Sequence, residues 1–237
     1  MVFARSAAMA FNRYIDRTYD AKNPRTAIRE IPSGQIRPEA ALGLTFGSAA
    51  LFMLCAFFIN KLCFFLAPVA LLVILGYSYT KRFTPLCHLI LGLGLSLAPI
   101  GAYLALTERF DILPIIFSVL VFFWVGGFDI IFALQDEEFD RKEGLKSIPV
   151  LIGKTGALRL SEFMHLLSAI AVITAYFYGH FSWLYIAGAV IFISLLIYQH
   201  IIVKPNDLSR VNLAFGTSNG IASVIFGLFV CLDIFLI

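Results

Sequence analysis

The sequence predicts an all-α fold: a polytopic transmembrane helical bundle of about seven full spans plus a partial N-terminal helix, around a central cavity open to the cytoplasmic side. Three observations predict it. The 237 residues are 60% hydrophobic and only 14% charged, where a water-soluble domain carries roughly a quarter charged residues, and the mean hydropathy is +0.88. Seven apolar runs each approach the ~20 residues that cross a ~30 Å hydrocarbon core. Lys and Arg are concentrated in alternate connections between those runs. Helices follow because lipid forces every backbone polar group to be satisfied within its own segment.

Taken in order, Met1 to Phe11 are mostly apolar but reach only about 16 Å at 1.5 Å per residue, half a bilayer. Arg5 interrupts the run and no small-residue cleavage site follows, so a signal peptide is not expected. The segment reads as the second half of a transmembrane helix whose beginning is absent. The full spans are 41–59, 63–80, 88–106, 112–133, 160–179, 183–203 and 213–236, and residues 1–237 read as one domain. Gly43 with Gly47 and Gly216 with Gly220 have the four-residue spacing of close helix packing. Cys55, Cys63, Cys87 and Cys231 fall in or beside different spans without metal-ligand spacing, as apolar packing residues do. His88, His165, His180 and His200 are equally scattered, and interfacial or packing positions are expected for them. There is no Walker A loop, dinucleotide fingerprint, zinc motif or nucleophile elbow.

Fifteen of the 18 Lys and Arg lie in 12–39, 81–87, 134–159 and 203–212, whereas the intervening connections hold only Lys61 and Arg109. By the positive-inside rule the first set is cytoplasmic. A net charge of +3 gives no reason to expect nucleic acid, and the partner that composition does imply is the lipid bilayer.

Two acidic columns stand out against this background. Asn12, Asp16 and Asp20, and later Asp129, Asp136 and Asp140, are spaced by four or seven residues and so share a helix face. An ionised carboxylate at a helix centre costs roughly 2.5–3.5 kcal/mol on insertion scales, so two columns at one membrane face imply a cation between them. Hard oxygen donors without His or Cys suit Mg²⁺, Mn²⁺ or Ca²⁺, and Mg²⁺ commonly takes one or two carboxylates and completes its shell with substrate phosphate oxygens. Two such columns fit two Mg²⁺ ions bridging one diphosphate. Lys22, Arg25, Arg29, Lys81 and Arg82 are placed to neutralise the remaining phosphate charge. A diphosphate inside a bundle carrying 24 Phe, 9 Tyr and 2 Trp points to a lipid-like tail.

Residues 12–34, NRYIDRTYDAKNPRTAIREIPSG, carry N-x3-D-x3-D followed by R-T-x2-R-x-I-P-S-G. Residues 129–149, DIIFALQDEEFDRKEGLKSIP, carry D-x6-D-x3-D-x3-G-x2-S, and YSYTKRFT at 77–84 lies between them. Three motifs in this order resemble the UbiA superfamily of intramembrane aromatic prenyltransferases, in particular its bacterial quinone-pathway branch (4-hydroxybenzoate or menaquinone-pathway polyprenyltransferases). The resemblance runs through nearly the whole chain. It implies transfer of a polyprenyl group from polyprenyl diphosphate to a small aromatic acid of 4-hydroxybenzoate or dihydroxynaphthoate type, in ubiquinone or menaquinone biosynthesis at a bacterial inner membrane. Asn12, Asp16 and Asp20 would hold one Mg²⁺, and Asp136 and Asp140 the other. Lys81, Arg82 and Arg25 would grip the diphosphate, with Lys22 and Arg29 nearby, and no obligate protein partner is implied. Asp16 and Asp140 are the expected catalytic carboxylates, joined by Asp129, which would orient the acceptor or take a proton. Members usually have nine transmembrane helices, so the first helix and the start of the second are read as absent, and Phe132 stands where Tyr is frequent.

Two other functions compete. A cation-coupled transporter also places carboxylates in a membrane, but near the midplane among broken helices, not beside basic loops. An inactive, truncated prenyltransferase homologue is the other.

Overall fold

A computed structural model describes residues 1–236 of the chain, and among these every long element is a helix. α1 (Val2–Asp20) carries the short apolar stretch without interruption into the first acidic column. The helices α2 (Pro38–Ile59), α3 (Lys61–Thr80), α4 (Cys87–Thr107) and α5 (Ile112–Ala133) follow. A 3₁₀ turn (Leu134–Asp136) and the short α6 (Glu137–Lys142) lead to α7 (Ile148–Gly179), α8 (Trp183–Ile202) and α9 (Asn219–Leu236). Seven segments are long and apolar enough to cross a membrane, and α1 stands outside that set.

Neighbours in sequence are neighbours in space. α1 packs on α2 and α3, then α3 on α4, α4 on α5, α5 on α7, and α8 on α9. The backbones of α4 and α5 approach closely at Gly92. A Cβ at Gly92 would lie 2.7 Å from the backbone oxygen of Phe122, so only hydrogen fits between the two helices. Gly92→Ala is therefore expected to force the helices apart and lower stability by about 1–3 kcal/mol. Thermal unfolding in detergent checks this, and an unchanged midpoint would show that the pair relaxes freely.

The paired glycines at 43/47 and 216/220 do not behave as their spacing predicts. No atom lies within 4 Å of a Cβ built on any of the four, so close approach belongs instead to Gly92, Gly126, Gly127 and Gly188. The fifth span also begins earlier, at Ile148 rather than 160, and bends at Gly153, whose φ of +71° suits a residue without Cβ.

Polar groups inside the bundle are satisfied across helices. Asp233 on α9 accepts from the backbone N–H groups of Ser182 and Tyr185 and from the Ser182 hydroxyl, capping α8 from outside its own chain segment. A π turn (Leu213–Ser218) precedes α9. The Asn219 side chain donates to the carbonyls of Phe215 (2.9 Å) and Ala214 (3.3 Å) there, and its oxygen accepts from Trp124 and Gln199. His165 and His200 meet 2.8 Å apart between α7 and α8, a packing position of the kind expected.

Candidate active site

Both acidic columns face one cavity of about 270 Å³, lined by α1, α3, α4, α5, α6, the basic loops and the π turn. The first column is a straight helical face. Asn12 Nδ2 donates to Asp16 Oδ2 at 2.8 Å, one turn along α1, which leaves the Asn12 carbonyl oxygen uncommitted. The second column is not one face of one helix as its spacing suggests. The 3₁₀ turn at Leu134–Asp136 separates Asp129 on α5 from Asp140 on α6, because a tighter turn shifts the register of the helix after it. Gly144, with φ of +71°, turns the chain after α6, and Leu145 N–H returns to the Asp140 carbonyl at 2.8 Å.

Four carboxylates meet four cations, one to one. Arg29 Nη1 donates to both oxygens of Asp20, at 2.8 and 2.9 Å. Arg25 grips Asp136 bidentately through Nε (3.0 Å) and Nη2, with Asn23 Nδ2 adding a third donor at 3.0 Å. Lys81 Nζ lies 2.7 Å from Asp140 Oδ1, whereas Oδ2 of the fully buried Asp140 has no donor. Arg82 stands 3.8 Å from Asp16 and is tied to α1 by donating to the Ile15 carbonyl at 2.8 Å. Lys81 and Arg82 thus reach the two columns from one loop. That loop is itself braced, since Lys146 N–H donates to the Lys81 carbonyl at 2.7 Å.

The charges of these groups follow from their surroundings. Asp16, beyond the seven spans, has its carboxyl pushed up to about 6, first by burial and then by the neighbouring Asp20 charge. Burial alone would pull the Lys81 ammonium down, but the Asp140 carboxylate outweighs it and the net direction is upward.

Asn12, Asp16, Asp20, Arg25, Arg29, Lys81, Arg82, Asp129, Asp136 and Asp140 all line the cavity. Lys22 does not: it is exposed and pairs with Glu143 at 2.6 Å, because it sits on the outer side of the turn after α1. The cavity also takes residues without an acidic or basic motif to announce them. Asn23 and Tyr77 lie within the motif stretches 12–34 and 77–84, whereas His88 and Phe215 lie outside all three. His88 is buried and 2.7 Å from Asp129, not an interfacial or packing residue. Phe215, swung in by the π turn, stacks on Phe132 with ring centroids 4.1 Å apart, and the Arg25 guanidinium lies 4.8 Å from the Phe132 ring centroid.

Known proteins share this fold. A UbiA homologue from Aeropyrum pernix K1, solved in its apo form, superposes with a TM-score of 0.89 at 29% identity, over 98% of this chain and 86% of that one. A UbiA homologue from Archaeoglobus fulgidus, solved bound to GPP and Mg²⁺, shares the fold at 21% identity with a TM-score of 0.67, over 98% and 84% of the two chains. The 4-hydroxybenzoate octaprenyltransferase of Francisella tularensis subsp. mediasiatica is 28% identical over 95% of this chain and 79% of its own length. The UbiA prenyltransferase family as a whole matches residues 1–229, and with that extent of match the chain belongs to the UbiA prenyltransferase family, as a multi-pass membrane prenyltransferase.

Proposed function

We propose that this protein transfers a polyprenyl group from its diphosphate to a small aromatic acid, of 4-hydroxybenzoate or dihydroxynaphthoate type, in quinone biosynthesis at a bacterial inner membrane. The observation that carries this reading is the one-to-one pairing of four carboxylates with four cations around a single cavity. Those four pairs balance one another, and their two halves complement a ligand of both signs: divalent cations for the acids, a diphosphate for the bases. The names of the relatives support the donor and acceptor classes. The charge asymmetry of the loops supports a cytoplasmic mouth.

The donors fit Mg²⁺. All are hard oxygens, and Oδ2 of the buried Asp140 lacks a hydrogen-bond donor. Among the described residues no three of His, Cys, Asp and Glu are gathered closely enough to hold an ion unaided, so water and substrate oxygens would complete its shell. Asn12, Asp16 and Asp20 would hold one ion, and Asp136 and Asp140 the other. Bound there, Mg²⁺ would act as a Lewis acid on the departing diphosphate.

The chain's own residues do the rest. Arg25, Arg29, Lys81 and Arg82 bind the diphosphate oxygens once their carboxylates are otherwise engaged, Arg25 with its planar fork. The rings of Phe132 and Phe215 help line the cavity, and apolar walls there exclude the water that would capture the cationic allylic carbon. Asp129 orients the acceptor or takes its proton.

Incubating membranes that contain the full chain with a labelled polyprenyl diphosphate, candidate aromatic acids and Mg²⁺ tests the reading. Prenylated acid is expected; a folded protein that yields none with any acceptor overturns it. The Mg²⁺ requirement is also expected to depend on pH. Because Asp16 titrates at about 6, its carboxylate is available above that pH and neutralised below it. The Mg²⁺ concentration for half-maximal transfer should then rise as pH falls from 7 to 5, and a flat dependence would count against Asp16 as a ligand.

A further inference from the structure

His88 opens α4 and is 3% exposed, and none of the acidic or basic motifs includes it. Its two ring nitrogens have different partners. Nδ1 lies 2.7 Å from Asp129 Oδ2. Nε2 receives the backbone N–H of Ile148, the first residue of α7, at 3.5 Å. A carboxylate only accepts, so Nδ1 carries a proton and donates it to Asp129.

Only one oxygen of Asp129 is used this way. Asp129 lines the cavity and its side chain keeps 20% of its exposure, and among the described residues no donor reaches Oδ1. Asp129 is also set apart from the four paired carboxylates: its partner is an imidazole, not a Lys or Arg of the basic loops. The tight α4–α5 contact at Gly92, one turn from His88, fixes the two helices that carry the pair.

We propose that His88 is a positioning residue, holding Asp129 so that Oδ1 faces the acceptor and receives its ring proton. This rests on the prenyl-transfer reading above. In that reaction the allylic C–O bond breaks and its electron pair leaves with the diphosphate. The acceptor's ring carbon forms the new C–C bond with a π pair. The C–H bond at that carbon then breaks, its pair restores aromaticity, and the proton goes to Asp129 Oδ1. His88 keeps its Nδ1–H on Oδ2 throughout and so keeps the carboxylate from rotating away.

The test compares wild type, His88→Phe and His88→Asn as full chains in detergent. The probes are geranyl diphosphate, Mg²⁺ and ring-protonated or ring-deuterated 4-hydroxybenzoate and dihydroxynaphthoate. Phe keeps the ring without a donor; Asn keeps a donor N–H at a similar reach. Proton removal is expected to be fast in wild type, with little or no isotope effect. His88→Phe should lower kcat about 100-fold, the low end for a positioned acid–base group, leave KM for geranyl diphosphate within about twofold, and expose a deuterium isotope effect. His88→Asn should recover much of the rate and suppress the isotope effect.

A folded His88→Phe with wild-type kcat, or one that loses rate without any isotope effect, overturns the proposal while the transfer reading stands. Should the Phe variant not fold, the Asn variant decides alone: near-wild-type transfer supports the proposal, and loss of transfer without an isotope effect overturns it. A wild type that prenylates neither acceptor sinks the transfer reading itself, and the role of His88 with it.

Discussion

Asp140→Asn is expected to reduce prenyl transfer by about 100- to 1,000-fold, the range seen when one preorganised charge-stabilising group is lost from an active site. Asp140 is fully buried, its Oδ2 meets no hydrogen-bond donor, and Lys81, 2.7 Å from Oδ1, is its sole ionic partner among the described residues. Replacing it with the amide keeps shape and removes the charge. Lys81 is then left without its counter-ion, but a third of its side chain is exposed, so water can solvate the ammonium and the fold should survive. Asp16→Asn is expected to act in the same direction from the other column. Lys22→Ala supplies the contrast, because Lys22 is exposed and turned toward Glu143, and its rate should stay within about twofold. Initial rates at fixed protein and saturating acceptor check all three. Substantial activity in both Asp variants would refute the assignment of the columns to metal.

The second large effect is on stability. Mg²⁺ alone must detach a carboxylate from its Arg or Lys and leave that cation uncompensated; diphosphate alone must do the reverse. Supplied together, they replace the four internal ion pairs with pairs to the ligands. Binding of the two should therefore be strongly and reciprocally coupled. Saturation by both to about 100 times Kd would stabilise the fold by ~2.7 kcal/mol, which for a chain of this size raises Tm by roughly 5–10 °C. Either one alone at the same concentration should shift Tm by a small fraction of that. Thermal unfolding in detergent with MgCl₂, inorganic pyrophosphate and their mixture measures this, and a full shift with MgCl₂ alone would show that the ion pairs offer no resistance. The small cavity, about 270 Å³, is consistent with side chains that now fill space the ligands would take.

The spans were legible because hydropathy is a bulk property: the apolar runs at 112–133 and 183–203 differ from the observed helices by at most one residue. The fifth begins twelve residues before its apolar run because Lys154, Thr155 and Arg159 on its first turns mask a helix that is half in and half out of the apolar layer. The acidic residues were legible through their cost in hydrocarbon, and they do surround one cavity. What spacing could not reveal was geometry made by irregular backbone. A 3₁₀ turn broke the column at Asp136, and a π turn brought Phe215 onto Phe132. His88 escaped notice for a different reason: a lone His in a span has no sequence partner, and Asp129 is 41 positions away. Glycine spacing misled for the opposite reason, since close packing depends on what lies across the gap, as at Gly92.

The π turn before α9 has a consequence for how this protein tolerates change. A wider turn accommodates one more residue than an α-helix would in the same rise, and Asn219 bonds the carbonyls it loosens. The cavity wall at Phe215 and the remainder of α9 therefore answer to separate rotational settings. Substitutions along the outer face of α9 can follow the surrounding lipid without turning the aromatic wall, so membrane adaptation and cavity shape are free to evolve independently on a single helix.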